Sequence, residues 1–156
     1  MKTTKMLREM LNSGEPVLTA GANDALSAVI AERAGFKAVT MGGYLATAVS
    51  LARPDIGLMT MTEMAEQARR ICAVTNIPLI ADADNGHGNV LNVIRTIQEL
   101  ENAGAAGVVL EDQVMPKRCG HMAGKKVIPM EEHVQKIRAA VYARKDPDFI
   151  IIGRTD

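Results

Sequence analysis

A cysteine lies among basic side chains in the run Lys117-Arg118-Cys119-Gly120-His121. A free cysteine titrates near pH ~8.5, and neighbouring cations favour its thiolate form, so this setting suits a thiol that donates a proton or attacks as a nucleophile. The alternative is an ordinary exposed cysteine in a basic loop. The run alone does not decide between them, because cysteine signatures do not transfer between protein families.

Carboxylates follow two apolar runs upstream of this cysteine. Asp82 and Asp84 come at the end of the first run, and Glu111 comes at the end of the second. Side chains alternate faces along a strand, so Asp82 and Asp84 are predicted to point the same way. Such a group of carboxylate oxygens suits Mg²⁺, which prefers oxygen ligands and keeps positions for water and substrate. For Asp84 and Asn85 the alternative is capping of the next helix, which would explain neither Asp82 nor Glu111.

The composition favours a small molecule as the binding partner. The 156 residues suffice for one domain with a core. Equal numbers of basic and acidic residues, 18 of each, leave no electrostatic footprint for nucleic acid or an anionic membrane. No apolar stretch reaches membrane-spanning length, and the first residues lack the apolar core of a secretory signal. The two cysteines make no disulfide framework, so we expect a cytoplasmic protein.

Short apolar runs alternate with amphipathic segments along the chain. The runs lack polar alternation, as expected for parallel strands that are buried on both faces. This pattern predicts an α/β fold with strands at 16–19, 38–41, 78–81, 107–110 and 149–152, a leading helix at 5–12, and helices at 24–35, 61–75, 90–103 and 130–144.

The order of these elements predicts a (β/α)₈ TIM barrel that ends after about its fifth strand. A closed barrel takes roughly 250 residues, and its active sites lie at the carboxyl ends of the strands, where this chain carries its acidic residues and Arg154. We therefore interpret residues 1–156 as the N-terminal portion of a single barrel domain. An open doubly wound sheet is the alternative. The Gly-x-Gly-x-x-Gly run of dinucleotide-binding proteins does not follow the first predicted strand.

Five motifs in this order resemble those of the isocitrate lyase and phosphoenolpyruvate mutase superfamily. They are Arg53-Pro54-Asp55, Asp82-Ala83-Asp84 with Gly86 and Gly88, Glu111-Asp112, the cysteine run 117–121, and Gly153-Arg154-Thr155-Asp156. The resemblance spans nearly the whole chain. It implies that Mg²⁺, or Mn²⁺ as the alternative, is surrounded by Asp55, Asp82, Asp84 and Glu111.

The resemblance also implies the remaining roles at the site. Arg154 would contact substrate oxygens, and residues 113–126 would form a mobile gating loop. Lys117, Arg118 and His121 would stabilise negative charge. The segment Gly42-Gly43-Tyr44 would contact the substrate, although many members have a serine at the position of Gly42 and a small residue at that of Tyr44.

Within the superfamily, Cys119 favours a carbon–carbon lyase over the phosphonate enzymes. The expected reaction is retro-aldol cleavage of a 2-hydroxy acid such as 2-methylisocitrate or 2,3-dimethylmalate to pyruvate and a carboxylic acid, with Cys119 as the general acid. Tyr44 is a candidate for the base. The alternatives are an oxaloacetate hydrolase or decarboxylase, a phosphonomutase-type enzyme, or an inactive barrel fragment.

Three further expectations follow from the resemblance. His87 stands where members often have an aromatic residue and is expected to form a wall or to add a polar contact. His133, on a helix with Lys136, is expected to lie on a solvated surface. The family barrel has three more strands and forms homotetramers, so weak or absent activity is expected of these 156 residues in isolation.

Overall fold

Five parallel strands alternate with helices in the computed structural model, which describes residues 1–156. The strands are hydrogen-bonded to one another in their chain order, β1-β2-β3-β4-β5. The elements are α1 (Thr3–Asn12), β1 (Thr19–Gly21), α2 (Ala25–Arg33), β2 (Ala38–Met41), α3 (Gly43–Leu51), α4 (Met61–Cys72), β3 (Leu79–Asp82), α5 (Val90–Asn102), β4 (Gly107–Glu111), α6 (Met130–Ala143) and β5 (Ile150–Arg154).

This topology confirms the α/β class and the barrel type. A (β/α)₈ barrel adds each strand beside the previous one, whereas a doubly wound sheet reverses its order at a switch point. Every neighbouring pair in this sheet is parallel and consecutive in the chain. The carboxyl ends of all five strands therefore lie along one edge of the sheet.

The two faces of the sheet are buried against different partners. Leu79 and Ile80 are neighbours in β3 and point to opposite faces, as strand geometry requires. Leu79 belongs to the main core, which also contains Phe149 and the buried sides of the outer helices. Ile80 packs with Leu7 of α1 in a smaller cluster. None of the helices is long and apolar enough to span a bilayer.

Side-chain caps fix the beginnings of three helices. Asp24, Thr60 and Asn89 each accept a hydrogen bond from the backbone three residues further on, and each takes part in a capping box. Both Asn23 and Asp24 are residue types that cap helices, and Asp24 is the one that caps α2. These caps explain why the predicted starts of α2, α4 and α5 agree with the structure within one residue.

Helix α3 was not predicted from the sequence. It begins with glycine, a weak helix former, and directly follows β2. The Gly43 backbone N–H donates to Asp82 Oδ2 at 2.8 Å. A Cβ atom on Gly43 would lie only 3.0 Å from that oxygen. The glycine therefore lets the positive N-terminal end of α3 approach the Asp82 carboxylate.

Candidate functional site

The carboxyl ends of β2 to β5 surround a cavity of about 290 Å³. All the residues singled out above as site residues line it, except Asp84 and Arg118. The lining consists of Gly42, Gly43, Tyr44, Asp55, Asp82, Glu111, Lys117, Cys119, Gly120, His121 and Arg154. The fold thus assembles one polar site from segments that are far apart in the chain.

The Lys117 ammonium lies within the carboxylate cluster, which we define as Asp55, Asp84 and Glu111. Its Nζ is 3.3 Å from Asp55 Oδ1 and 3.6 Å from Glu111 Oε1, and it donates a hydrogen bond to Asp84 Oδ1. The Lys117 side chain is only 2% exposed. Because the ammonium lies between these carboxylates, no three acidic, histidine or cysteine side chains form a ready-made metal site.

The carboxylate loop, residues 82–88, positions Asp84 through its backbone. Strand β3 ends at Asp82, and Asp84 adopts a left-handed φ of 47°. The Asp84 N–H donates to Asp82 Oδ1 at 2.8 Å, so a tight turn joins the two carboxylates. Both face Gly43, since a Cβ there would lie 3.0 Å from Asp82 Oδ2 and 3.2 Å from Asp84 Oδ1. Strand alternation, the basis of the sequence prediction, is therefore the wrong reason for their proximity.

Helix capping is also the wrong explanation for Asp84 and Asn85. The cap of α5 is Asn89, whose side chain accepts from Leu91 N at 2.9 Å. Asn85 instead donates from Nδ2 to the Gln113 carbonyl at 3.3 Å. The Asn85 amide therefore links the carboxylate loop to the chain that follows β4.

Burial sets the protonation of the carboxylate cluster. It raises the pKa of Glu111 to about 7, against the opposing effect of the Lys117 charge. Burial also raises the pKa of Asp84 to about 6, and the charge of Asp82 adds to the rise. For Lys117, burial acts to lower the pKa, but the Asp84 and Asp82 carboxylates outweigh it and the pKa lies above its ordinary value. The carboxylates thus outnumber the cation that neutralises them, and further positive charge would be stabilised here.

His87 forms part of the rear of the site as a neutral ring. Its Nε2 is 3.8 Å from Asp84 Oδ2, and its side chain is 15% exposed. Burial lowers the pKa of His87 to about 4. The imidazole is therefore uncharged at neutral pH and cannot neutralise the nearby carboxylate.

The Cys119 side chain borders two connected spaces. It lines the inner cavity and also an outer opening of about 720 Å³. His121 stands edge-on to Tyr44 at the boundary, with ring centroids 6.3 Å apart and planes at 75°. Arg118 lines only the outer space, and its Nη1 donates to the Ala123 carbonyl at 3.4 Å. The structure therefore does not bring Arg118 to the carboxylate cluster.

Arg154, at the end of β5, lies on the other side of the cavity from Tyr44. Its Nη1 is 3.9 Å from Glu111 Oε2, and its Nη2 donates to Asp156 Oδ1. A Cβ atom on Gly120 would collide with the guanidinium group. The glycine that follows Cys119 therefore allows the cysteine run to pack directly against Arg154.

Hydrogen bonds join the two ends of the cysteine loop, residues 113–126, to each other and join Gln113 to Asp156, just beyond β5. Gln113 is 1% exposed, and its Nε2 donates to Asp156 Oδ2 at 2.9 Å. Its Oε1 accepts from the Arg118 N–H at 3.0 Å, and Val114 N donates to the Lys126 carbonyl at 2.8 Å. Gln113 thus joins the loop to the end of β5, a role that the sequence did not reveal.

Lys136 is a second residue whose place was missed. It lies on the same helix as His133 but is only 3% exposed. The solvated surface expected for His133 is correct only in part, because the residue is half-buried and its Nδ1 is buried without a hydrogen-bond partner. A signal was available, because Lys136, Ala140 and Ala143 are the buried residues of α6 and their spacing marks one helical face.

The chain is similar in sequence to a family model and to known proteins. A family model described as phosphoenolpyruvate phosphomutase matches residues 7–156. The 2,3-dimethylmalate lyase of Eubacterium barkeri is 51% identical over 156 residues, which cover 100% of this chain and 54% of that protein.

Two solved structures extend the likeness to the coordinates. Oxaloacetate acetylhydrolase in complex with the inhibitor 3,3-difluorooxalacetate matches with a TM-score of 0.94 and 40% identity, covering 99% of this chain and 54% of that one. Phosphonopyruvate hydrolase in complex with oxalate and Mg²⁺ matches with a TM-score of 0.91 and 37% identity, covering 99% and 53%. The chain spans about half the length of these relatives.

Proposed function

Because the chain belongs to the phosphoenolpyruvate mutase/isocitrate lyase superfamily, we propose that it carries the acidic and thiol-bearing part of a Mg²⁺-dependent carbon–carbon lyase site. The substrate is a 2-hydroxy acid of the 2,3-dimethylmalate or 2-methylisocitrate type, and the products are pyruvate and a carboxylic acid. The observation that carries this proposal is that Cys119 opens onto the same cavity as Asp55, Asp82 and Glu111.

The side chains around Lys117 fit a divalent cation. Four carboxylates, those of Asp55, Asp82, Asp84 and Glu111, meet at or beside the cavity. Glu111 Oε1 is buried without a hydrogen-bond partner, which leaves a free acceptor directed into the cluster. An all-oxygen set is what Mg²⁺ and Mn²⁺ prefer. We assign the metal to these four residues, and phosphonopyruvate hydrolase, solved with oxalate and Mg²⁺, supports the assignment.

Other residues of the cavity would bind the substrate. Bound Mg²⁺ would act as a Lewis acid on the substrate's oxygens. Arg154 presents its guanidinium to a substrate carboxylate from the end of β5. The first turn of α3, at Gly42 and Gly43, offers the positive end of a helix to the same part of the substrate. Tyr44 and His121 form the outer rim.

Proton transfer completes the cleavage. The substrate's hydroxyl proton passes to a base, for which Tyr44 is the candidate, as the carbon–carbon bond breaks and the hydroxyl carbon becomes a keto group. The electron pair of that bond remains on the leaving carbon. The Cys119 thiol lies at the mouth of the cavity and protonates this carbon, as a positioned general acid does. Arg154 stabilises the negative charge that accumulates meanwhile.

A hydrolytic reaction on oxaloacetate is the second candidate. The structural match to oxaloacetate acetylhydrolase has a TM-score of 0.94, and the same carboxylates and Arg154 suit a dicarboxylate keto acid. In both reactions the carbon that leaves must be protonated, so the products and not the acid separate the two candidates. A hydrolase gives oxalate and acetate from oxaloacetate, whereas the lyase gives pyruvate from 2,3-dimethylmalate.

The test is pyruvate release, followed with a coupled reductase, from 2,3-dimethylmalate and from 2-methylisocitrate with and without Mg²⁺, by this chain and by one extended to full barrel length, which is the chain expected to be active. We expect metal-dependent pyruvate that Cys119→Ser lowers by about 10²–10⁴-fold, the usual contribution of a positioned acid. Cys72→Ala is the matched control, because Cys72 ends helix α4 away from the cavity.

Each outcome separates the candidates. Unchanged pyruvate release by Cys119→Ser would remove the thiol from the mechanism. Absence of pyruvate from both substrates, together with oxalate from oxaloacetate, would replace the lyase by the hydrolase. Equal losses in Cys119→Ser and Cys72→Ala would show that the assay reports folding rather than catalysis.

A further inference from the structure

Lys136 is a buried lysine that lies behind the cavity rather than in it. It is 3% exposed, and its Nζ donates to the Asn85 carbonyl oxygen at 3.0 Å. Lysine is almost never fully buried unless its charge is paired. Here the acceptor is a backbone oxygen, and the nearest charge that supports the ammonium is Glu132, one turn earlier on α6.

The bond reaches an unusual part of the backbone. Asn85 is flanked by Asp84, with φ 47°, and by Gly86, with φ 85°, and His87 follows at φ 58°. Positive φ at residues other than glycine persists only where the surroundings hold it in place. Hydrogen bonds from outside hold the carboxylate loop in this conformation, and the bond from Thr96 Oγ1 to the Gly86 carbonyl, at 3.2 Å, is one of them.

Asn85 is fixed from two sides. Its side-chain Nδ2 donates to the Gln113 carbonyl at 3.3 Å, and its own carbonyl accepts from Lys136. The residue before Asn85 is Asp84, whose carbonyl oxygen accepts a hydrogen bond from the Glu111 N–H at 2.9 Å. A change at the Asn85 carbonyl is therefore one residue away from Asp84, a proposed metal ligand, which in turn is one hydrogen bond away from Glu111, another.

We propose that Lys136 is a positioning residue for the proposed metal site: through the Asn85 carbonyl it holds the carboxylate loop in the conformation that presents Asp84 to the cavity. This proposal rests on the proposed function for its consequence, metal affinity, but not for its structural content. The ammonium is needed because a methylene chain of the same length would leave the buried carbonyl without a donor.

The first measurement is backbone amide exchange by NMR in Lys136→Met. The Gly86 and Glu111 amides, which bond to Ala83 O and Asp84 O at 2.9 Å, are expected to exchange at least about tenfold faster. The Val39 amide, which bonds to Pro78 O in the sheet at 2.9 Å, is expected to keep its rate. Lys136→Arg retains a cationic donor and is expected to restore part of the protection. Unchanged exchange at Gly86 and Glu111 would overturn the proposal.

The second measurement is Mn²⁺ affinity by electron paramagnetic resonance. Lys136→Met is expected to weaken binding roughly tenfold, as loss of an outer partner of a metal ligand typically does. Phe149→Leu, a substitution in the core at the start of β5, controls for a general loss of stability and is expected to bind like the unaltered chain. Equal weakening in both variants would reduce Lys136 to a stabilising residue. If the unaltered chain binds no Mn²⁺, the proposed metal site fails, whereas amide exchange still decides the role of Lys136.

Discussion

Glu111 is a buried carboxylate whose ionisation is unfavourable in the folded, metal-free protein. Its side chain is 3% exposed, and burial raises its pKa to about 7 although Lys117 opposes the rise. An enzyme that must take up a divalent cation benefits from such a carboxylate, because the cation removes the penalty of ionising it. The same penalty should be visible in the stability of the metal-free protein.

We predict that Glu111→Gln becomes increasingly more stable than the unaltered chain as the pH rises from about 5 to about 8. The pKa of Glu111 is raised from 4.5 to about 7 in the folded protein, so between these values the folded state holds a proton that the unfolded chain has released. Stability is therefore lost as pH rises through this window, and glutamine avoids the loss. At about 1.4 kcal/mol per pKa unit, the difference should reach a few kcal/mol.

Urea unfolding in the presence of EDTA measures this difference. His87, whose pKa burial lowers to about 4, changes stability in the opposite sense, but it is present in both proteins and cancels. Glu63→Gln is the control, since hydrogen bonds from Thr60 lower the pKa of that exposed carboxylate. A pH-independent difference between Glu111→Gln and the unaltered chain would contradict the interpretation.

Among the helices and strands, those with a strong hydrophobic periodicity or with clear capping residues were predictable from the sequence. Strand β2 was predicted at 38–41 and is observed at Ala38–Met41. A short apolar run between polar segments is typical of a buried strand, so its position was clear from the sequence. Strand β1 was predicted too early, since Pro16 to Leu18 are apolar but the hydrogen-bonded strand begins at Thr19. Helix α3 was missed because its glycine start is set by the Asp82 carboxylate, a contact that only the folded chain contains.

The site was predictable in composition but not in arrangement. Strand order alone brings Asp82, Glu111 and Arg154 to one edge of the sheet, so their grouping follows from the fold. The entry of Lys117 into the carboxylate cluster depends on how the cysteine loop folds back, which no local pattern encodes. The spacing of Lys136 with Ala140 and Ala143 on one face of α6 indicated that Lys136 is buried, but a charged side chain is ordinarily expected to lie in solvent.

The position of Lys117 leads to a prediction for the cysteine loop as an element. A metal ion and the Lys117 ammonium cannot share the same carboxylates, because like charges repel strongly at this separation. Mg²⁺ binding should therefore expel Lys117, whose side chain is 2% exposed without metal, and loosen the loop. We expect Lys117→Met to bind Mg²⁺ at least about tenfold more tightly than the unaltered chain does, as measured by calorimetry. In the unaltered chain, we expect Mg²⁺ to accelerate trypsin cleavage after Lys117.

Lys125→Met provides the matched control in the same loop. Lys125 donates to the Gly120 carbonyl at 2.6 Å and lies 3.5 Å from Asp156 Oδ1, so it does not enter the carboxylate cluster. Its substitution should leave Mg²⁺ affinity unchanged. Weaker Mg²⁺ binding by Lys117→Met would show instead that the lysine assists the metal rather than competing with it.

The molecule as a whole exposes two edge strands and apolar side chains of α3. Both β1 and β5 are edge strands, and edge strands present unpaired backbone groups. Helix α3 adds exposed apolar side chains, Leu45 at 42% and Val49 at 56%, one helical turn apart. Ile56 and Leu58, in the segment between α3 and α4, are also 44% and 47% exposed. Such a patch marks an interaction site, which agrees with the homo-oligomer expected from the family resemblance.

We therefore predict that copies of this chain associate through α3. Sedimentation equilibrium should give a mass that is a multiple of the 16.7 kDa chain mass, and Val49→Lys should shift it towards the monomer. Burying a valine is worth about 1.5 kcal/mol or more, so the association constant should fall at least about tenfold. Leu91→Lys is the control, because Leu91 is 71% exposed on α5 and lies outside the patch. A monomer at tens of micromolar would contradict association, whereas an oligomer that Val49→Lys leaves intact would assign the contact to the strand edges, where pairing depends on backbone groups rather than on this side chain.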